Sequence, residues 1–130
     1  MKKLGSAVVA DDNRISRIIL REVLDQHAVT VYEAADGEQA YDLILAHSPD
    51  LVISDLLMPK IDGFGLATRI IEEEIDPRPK LFMVSAVYKT RQWRNEAHLT
   101  YQADEFLPKP VKPEDLEAAL RRHFELSDEG

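Results

Sequence analysis

The chain has 130 residues, 45% of them hydrophobic and 31% charged, with 24 acids against 16 lysines and arginines and a formal charge of −8. That length makes one domain with a core that holds without staples, and the composition is that of a folded protein rather than a disordered one. The acidic balance argues against nucleic acid and membrane surfaces as partners. The lack of cysteine excludes disulfide scaffolds, cysteine–zinc sites and thiol catalysis, and suits a reducing, cytoplasmic location. Apolar runs such as Leu81-Phe82-Met83-Val84 stop at four residues, against about 20 for a membrane span. Residues Met1 to Ser6 lack the apolar stretch of a secretory signal.

Five short apolar runs recur, each followed by a segment of helical spacing. Ala7-Val8-Val9-Ala10 is the first strand. Ile15, Ile18, Ile19 and Val23 then predict a helix with Asp12 or Asn13 as its N-cap. Val29-Thr30-Val31-Tyr32 is the second strand, rich in β-branched residues, and Asp36-Gly37-Glu38 opens a helix carrying Ala40, Leu43 and Ile44. The breaker Ser48-Pro49-Asp50 precedes a third strand, Leu51-Val52-Ile53, which ends at Ser54-Asp55. After Met58-Pro59, Leu66, Ile70 and Ile71 mark a third helix closing near Glu72-Glu73-Glu74, an acidic end unfavourable to the helix dipole. Leu81 to Val84 is the fourth strand, and roughly Lys89 to Thr100 reads as a fourth helix. Glu105-Phe106-Leu107 is a short fifth strand stopped by Pro108 and Pro110. A last helix, Pro113 to Glu125, turns Leu116, Leu120 and Phe124 inward, and the tail from Ser127 should fray.

Strands alternating with helices predict βα units and a parallel sheet covered on both faces. In such sheets ligands gather beyond the carboxyl ends of the strands. Here those ends carry Asp11-Asp12, Asp55, Ser85 and Lys109. Taken singly, Asp12 reads as a helix cap, Asp55 as a strand end, Ser85 as a turn residue and Lys109 as a solvated cation. Together they read differently. Carboxylates about 4 Å apart repel by roughly 4 kcal/mol at an effective dielectric of 20, so such a group needs a cation or raised pKa values. Hard oxygen donors suit Mg²⁺, and a hydroxyl with an ammonium suits a phosphoryl group.

The ordered fragments are Val8-Val9-Ala10-Asp11-Asp12-Asn13, Glu33-Ala34-Ala35-Asp36-Gly37, the run from Pro49 to Gly63, Val84-Ser85-Ala86 and Phe106-Leu107-Pro108-Lys109-Pro110. This set, with Asp-x-x-Met-Pro-x-x-Asp-Gly inside it, resembles the response-regulator receiver domain over about Ser6 to Phe124. The resemblance implies a flavodoxin-like (βα)5 doubly wound fold, strand order 2-1-3-4-5, with a receiver domain over residues 1–126 and a tail over 127–130. It implies that Asp55 accepts a phosphoryl group from a phosphohistidine of a histidine kinase or histidine phosphotransfer protein. Asp11, Asp12, Asp55 and the backbone carbonyl of Leu57 would hold Mg²⁺. Ser85, Lys109 and Ala86 would bind the phosphoryl group, and the Lys109–Pro110 bond would be cis. Ser85 would move toward the phosphate and Phe106 would turn into the vacated space. That would reshape the face of the fourth helix, fifth strand and fifth helix, which addresses a downstream protein or output domain.

The two positions that tune hydrolysis in that family are Leu57 and Val87 here. Both are apolar, so a long-lived phosphorylated state is expected. An enzyme reading, a dehalogenase-like phosphatase, would need an acid where Leu57 stands, so turnover of an external substrate is not expected. The alternative within the family is a degenerate receiver acting as a constitutive docking module.

The resemblance departs at Tyr101-Gln102-Ala103, where many receivers place a glycine, leaving the length and exit of the fourth helix open. The Tyr88 to Arg94 segment mixes aromatics with cations as a nucleic-acid patch would, against which stands the charge of −8; its other readings are a protein-docking face and a solvated helix with Trp93 partly on the core. His27, His47, His98 and His123 stand at no ligand spacing and read as surface or helix-end residues.

Overall fold

The computed structural model describes residues 1–88 and 90–128. Five strands and five helices alternate: β1 (Ser6–Ala10), α1 (Arg14–Asp25), β2 (Thr30–Ala34), α2 (Gly37–His47), β3 (Leu51–Asp55), α3 (Gly63–Glu72), β4 (Lys80–Ser85), α4 (Arg91–Leu99), β5 (Glu105–Pro108) and α5 (Pro113–His123). The strands form one parallel sheet in the order β2-β1-β3-β4-β5, the doubly wound arrangement that the alternation predicts. The register sets Ala10 beside both Ala34 and Ser54, Asp55 beside Val84, and Ser85 beside Pro108. The chemistry-bearing strand ends therefore lie along a single edge.

Period-two alternation feeds two cores. Ala7 and Val9, Leu51 and Ile53, and Phe82 and Val84 pack under α1 and α5. Their neighbours Val8, Val52, Leu81 and Met83 pack with side chains of α2, α3 and α4. Both faces are covered, so the strands are apolar almost throughout. Leu116, Leu120 and Phe124 are all buried, but α5 ends at His123 rather than Glu125 and Phe124 enters the core from extended backbone. Helix α1 corrects its predicted stripe. Ile15, Ile18 and Ile19 are exposed, and the buried residues are Leu20, Val23 and Leu24. Apolar spacing marks a helix but does not say which of its residues meet the sheet; Leu20, Val23 and Leu24 are the ones that join the strand side chains.

The helix exits share a backbone device. Ala28, Ser48, Glu74 and Gln102 all take positive φ, at 55°, 45°, 49° and 57°. At the end of α3, Glu74 N–H donates to Ile71 O (3.1 Å) and Ile75 N–H to Ile70 O (3.2 Å), the paired bonds of a left-handed helix stop. Glycine is the usual residue there, because a Cβ in that conformation costs roughly 1–2 kcal/mol. We expect Glu74→Gly to stabilise the protein by about 1 kcal/mol, also easing the acidic helix end, after allowance for glycine's unfolded-state freedom. The urea midpoint checks this, and a destabilised variant contradicts it.

Helix α4 is shorter than the predicted Lys89–Thr100. It begins at Arg91, with the Thr90 hydroxyl accepting from Trp93 N–H (3.4 Å), and Lys89 lies outside the described residues. Its exit, left open by the sequence, runs through Gln102 at positive φ. There the Arg78 guanidinium donates to the Gln102 side-chain oxygen and to its backbone carbonyl (2.7 Å). Trp93 is 37% exposed and packs into an aromatic group with Phe64, Tyr88 and Tyr101, its ring centroid 4.4 Å from that of Tyr88. His27, at the end of α1, is buried, with Nε2 2.5 Å from Glu117 Oε1 and Nδ1 2.7 Å from Ser127 O. Glu129 and Gly130 of the predicted tail lie outside the described residues.

Candidate functional site

At the end of β1 the ladder runs one residue further, Asp11 N–H donating to Ala34 O (3.0 Å). Asp11 is fully buried, and its Oδ1 accepts from Asn13 N–H (2.9 Å). Asn13, not Asp12, caps α1, its side chain accepting from Ser16 N–H (3.1 Å). Asp12 is thereby left exposed beside Asp11, with its carboxylate outside the cap. Asp55 ends β3, 7% exposed, and Lys109 follows β5 directly.

These side chains meet. Lys109 Nζ lies 2.6 Å from Asp11 Oδ2 and 3.0 Å from Asp55 Oδ2. Asp11, Asp12 and Asp55 each offer a carboxylate oxygen, all within 4.8 Å of one another. Burial pushes the Asp55 carboxyl above its ordinary value; the Lys109 hydrogen bond opposes this and the charge of Asp11 adds to it. For Lys109, burial acts downward, but its close contacts with the Asp11 and Asp55 carboxylates outweigh it and hold the ammonium above its ordinary value. One lysine thus faces three acids. Asp11 Oδ2 is buried with no aligned hydrogen bond, although the ammonium is close. A hard divalent cation fits such a donor set, since it supplies the missing charge and takes oxygen ligands.

Of the other predicted residues, Leu57 and Ser85 bond directly to members of this cluster. Leu57 N–H reaches toward Asp55 Oδ1 (3.4 Å), while the Leu57 side chain is 48% exposed. Ser85 is buried at the end of β4, and its backbone carbonyl accepts from Lys109 N–H (2.8 Å). Its Oγ accepts from Val87 N–H (3.1 Å) and Tyr88 N–H (2.9 Å), so the hydroxyl oxygen is engaged by its own loop. Ala86 and Lys109 line a hollow of about 370 Å³ with Ser16, Ile19, Leu20 and Val111. Val87 is 64% exposed, and Phe106 is buried in the core shared with Met83 and Ala103. The Lys109–Pro110 bond is cis, as the resemblance implies.

Sequence reasoning missed the supports. Arg17 Nη1 donates to the Asp11 carbonyl (2.6 Å) and its Nε to Glu33 (3.1 Å). Gly63 passes so close to β3 that a Cβ would lie 2.5 Å from Asp55 O. The glycine of the Asp-Gly pair was visible as a motif letter, but its reason is this backbone approach. A pairing between α1 and β2 leaves no periodic trace in the sequence.

The model of the response regulator receiver domain family matches residues 7–121 of the chain. The chain belongs to that family. This receiver is 34% identical over 125 residues to "Response regulator GtcR" of Aneurinibacillus migulanus, covering 93% of the chain and 50% of the relative. It is 35% identical to "Response regulator MprA" of Mycolicibacterium vanbaalenii, over 88% of the chain and 48% of that protein. The receiver spans about half the length of the curated relatives it matches. Among solved structures, the REC domain of AraT, a response regulator from Geobacillus stearothermophilus, superposes with a TM-score of 0.77 at 28% identity, covering 92% of each chain. Receiver domains are signalling domains of two-component systems rather than substrate-turnover enzymes. Among the described residues, no helix is long and apolar enough to cross a membrane.

Proposed function

We propose that this receiver is the phosphoacceptor of a two-component or phosphorelay system, with Asp55 as the acceptor. The observation that carries the reading is the meeting of Asp55 with Lys109, Asp11 and Asp12 at one strand edge. A histidine kinase or histidine phosphotransfer protein is the donor. An Asp55 carboxylate oxygen attacks the phosphorus of the donor's phosphohistidine, the O–P bond forms, the N–P bond breaks and the imidazole leaves. Such a loose transfer needs positioning and charge neutralisation more than covalent help.

Lys109 steers the Asp55 oxygen before transfer and pairs with the phosphoryl oxygens after it. Asp11, Asp12, Asp55 and the Leu57 carbonyl would hold Mg²⁺, which would supply neutralising charge to the transferring group. Ser85 donates its hydroxyl to a phosphoryl oxygen, and the Ala86 backbone faces another. Taking up that bond draws Ser85 away from Val87 and Tyr88. The β4–α4 loop is thereby freed, and with Phe106 it biases the α4–β5–α5 face between two shapes. That face addresses an output domain or partner protein. Leu57 and Val87, both apolar, offer no group to orient an attacking water, so the acyl phosphate persists.

Acetyl phosphate with Mg²⁺, read by intact mass, tests the proposal. Wild type should gain one phosphoryl group, and Asp55→Asn should gain none. An adduct that survives in Asp55→Asn, or no adduct in wild type, overturns it; the latter leaves a receiver acting by docking alone.

A further inference from the structure

We propose that Arg17 is a positioning residue for the cation site, acting through the peptide between Asp11 and Asp12. This rests on the reading of Asp11, Asp12 and Asp55 as cation ligands. Among the described residues, no hydrogen bond or ion pair holds the Asp12 carboxylate, which is exposed, whereas Asp11 and Asp55 are both tied to Lys109. The aim of Asp12 therefore depends on its backbone.

Arg17 holds that backbone. Its Nη1 donates to the Asp11 carbonyl at 2.6 Å, in the last peptide before Asp12. A peptide unit is planar and stiff, so fixing its oxygen also fixes the nitrogen and Cα of Asp12. The guanidinium is fixed in turn. Its Nε donates to Glu33 Oε1 (3.1 Å), and the other Glu33 oxygen accepts from Arg21 Nη1 (2.7 Å). The Arg17 side chain is only 16% exposed. Glu33 is held below the usual carboxylate range, chiefly by its hydrogen bond to Arg21. Two helical arginines and one strand carboxylate thus form a clamp from α1 to β2 that ends on the acidic turn. The fork matters, because a guanidinium engages a carbonyl and a carboxylate in different directions at once, and an ammonium on a flexible stem does not.

Charge and position predict opposite signs here. As a mere cation beside an acidic cluster, Arg17 would repel a metal ion, and its removal would tighten binding. As a positioning residue it would favour binding, and its removal would weaken it, as outer-shell changes commonly do.

A Mn²⁺ titration of the whole chain, followed by electron paramagnetic resonance, separates the two. Arg17→Ala should weaken Mn²⁺ binding about tenfold and Arg17→Lys about threefold or more, with circular dichroism showing folded protein. Arg122→Ala removes a cation from the α5–β5 face, where Arg122 pairs with Glu105, and should leave affinity unchanged. Unchanged or tighter binding by Arg17→Ala overturns the proposal; should that variant fail to fold, Arg17→Lys decides it by the same criterion. If wild type fails to bind Mn²⁺, or Asp12→Asn and Asp55→Asn bind it as wild type does, the cation reading itself falls and takes this proposal with it.

Discussion

Lys109→Met should lower the unfolding free energy of this receiver by about 3 kcal/mol in magnesium-free buffer at neutral pH, because removing one partner of a buried ion pair strands the other. The ammonium is the contact shared by Asp11 and Asp55, at 2.6 and 3.0 Å. Methionine keeps much of the stem's volume, so the loss is electrostatic rather than a cavity. Without the lysine, carboxylate oxygens within 4.8 Å of each other repel by roughly 3 kcal/mol at an effective dielectric of 20. The sign of the pH dependence follows from Asp55. Its carboxyl is raised in the folded state by burial, with the neighbouring acid adding to the effect, so its contribution favours folding below the ordinary carboxylate range and is lost as pH rises through the raised value. Losing Lys109 raises that value further, so the deficit of the variant should be largest near neutrality and shrink on acidification. Mg²⁺ should stabilise the variant more than it stabilises wild type, since a ligand that binds only the folded state adds its binding free energy. Urea unfolding at neutral and acidic pH, with and without Mg²⁺, reads all three effects. A deficit below about 1 kcal/mol, of the kind exposed pairs give, would show that the cluster does not depend on the lysine.

Gly37→Ala should cost about 3 kcal/mol or more, placing it in the severe class of overpacking changes. A Cβ at Gly37 would lie 1.9 Å from the Ile61 carbonyl oxygen and 2.7 Å from both its carbonyl carbon and its Cβ. Two of these three atoms are backbone, so no rotamer relieves the contact. Alanine's better helix propensity, worth about 1 kcal/mol, cannot offset it. The clash also has a functional direction. Gly37 opens α2, where Asp36 caps the helix by accepting from Gln39 N–H (2.8 Å), and Ile61 lies on the loop leading from Asp55 to α3. Pushing Ile61 away disturbs the segment that presents Leu57. Gly65 is the contrast, because its nearest neighbour is the end of the Ile61 side chain at 3.0 Å, and Gly65→Ala should change stability by under about 1 kcal/mol. Equal midpoints for the two variants in thermal melts would contradict the argument.

Much of this architecture was legible in the sequence for physical reasons. Strands buried on both faces must be nearly all apolar, and Ala7 to Ala10, Leu51 to Ile53 and Leu81 to Val84 announce themselves as such. The candidate site was legible because its groups stand at strand ends, so counting elements located Asp11, Asp55, Ser85 and Lys109 without coordinates. Helix α1 was misread because an isoleucine stripe reports apolarity, not what lies opposite it. Ile15 and Ile18 are exposed, whereas Leu20 and Leu24 pack with the strand side chains. The Gln102 exit was illegible because its partner, Arg78, lies 24 residues away. The Arg17–Glu33 contact was hidden for the same reason: it depends on which strand neighbours which helix.

The position of Trp93, the only tryptophan in the chain, has an optical consequence. Its indole lies against Tyr88, whose N–H rests on the Ser85 oxygen. Emission excited selectively at the indole should therefore be sensitive to the arrangement of the loop whose amides rest on Ser85.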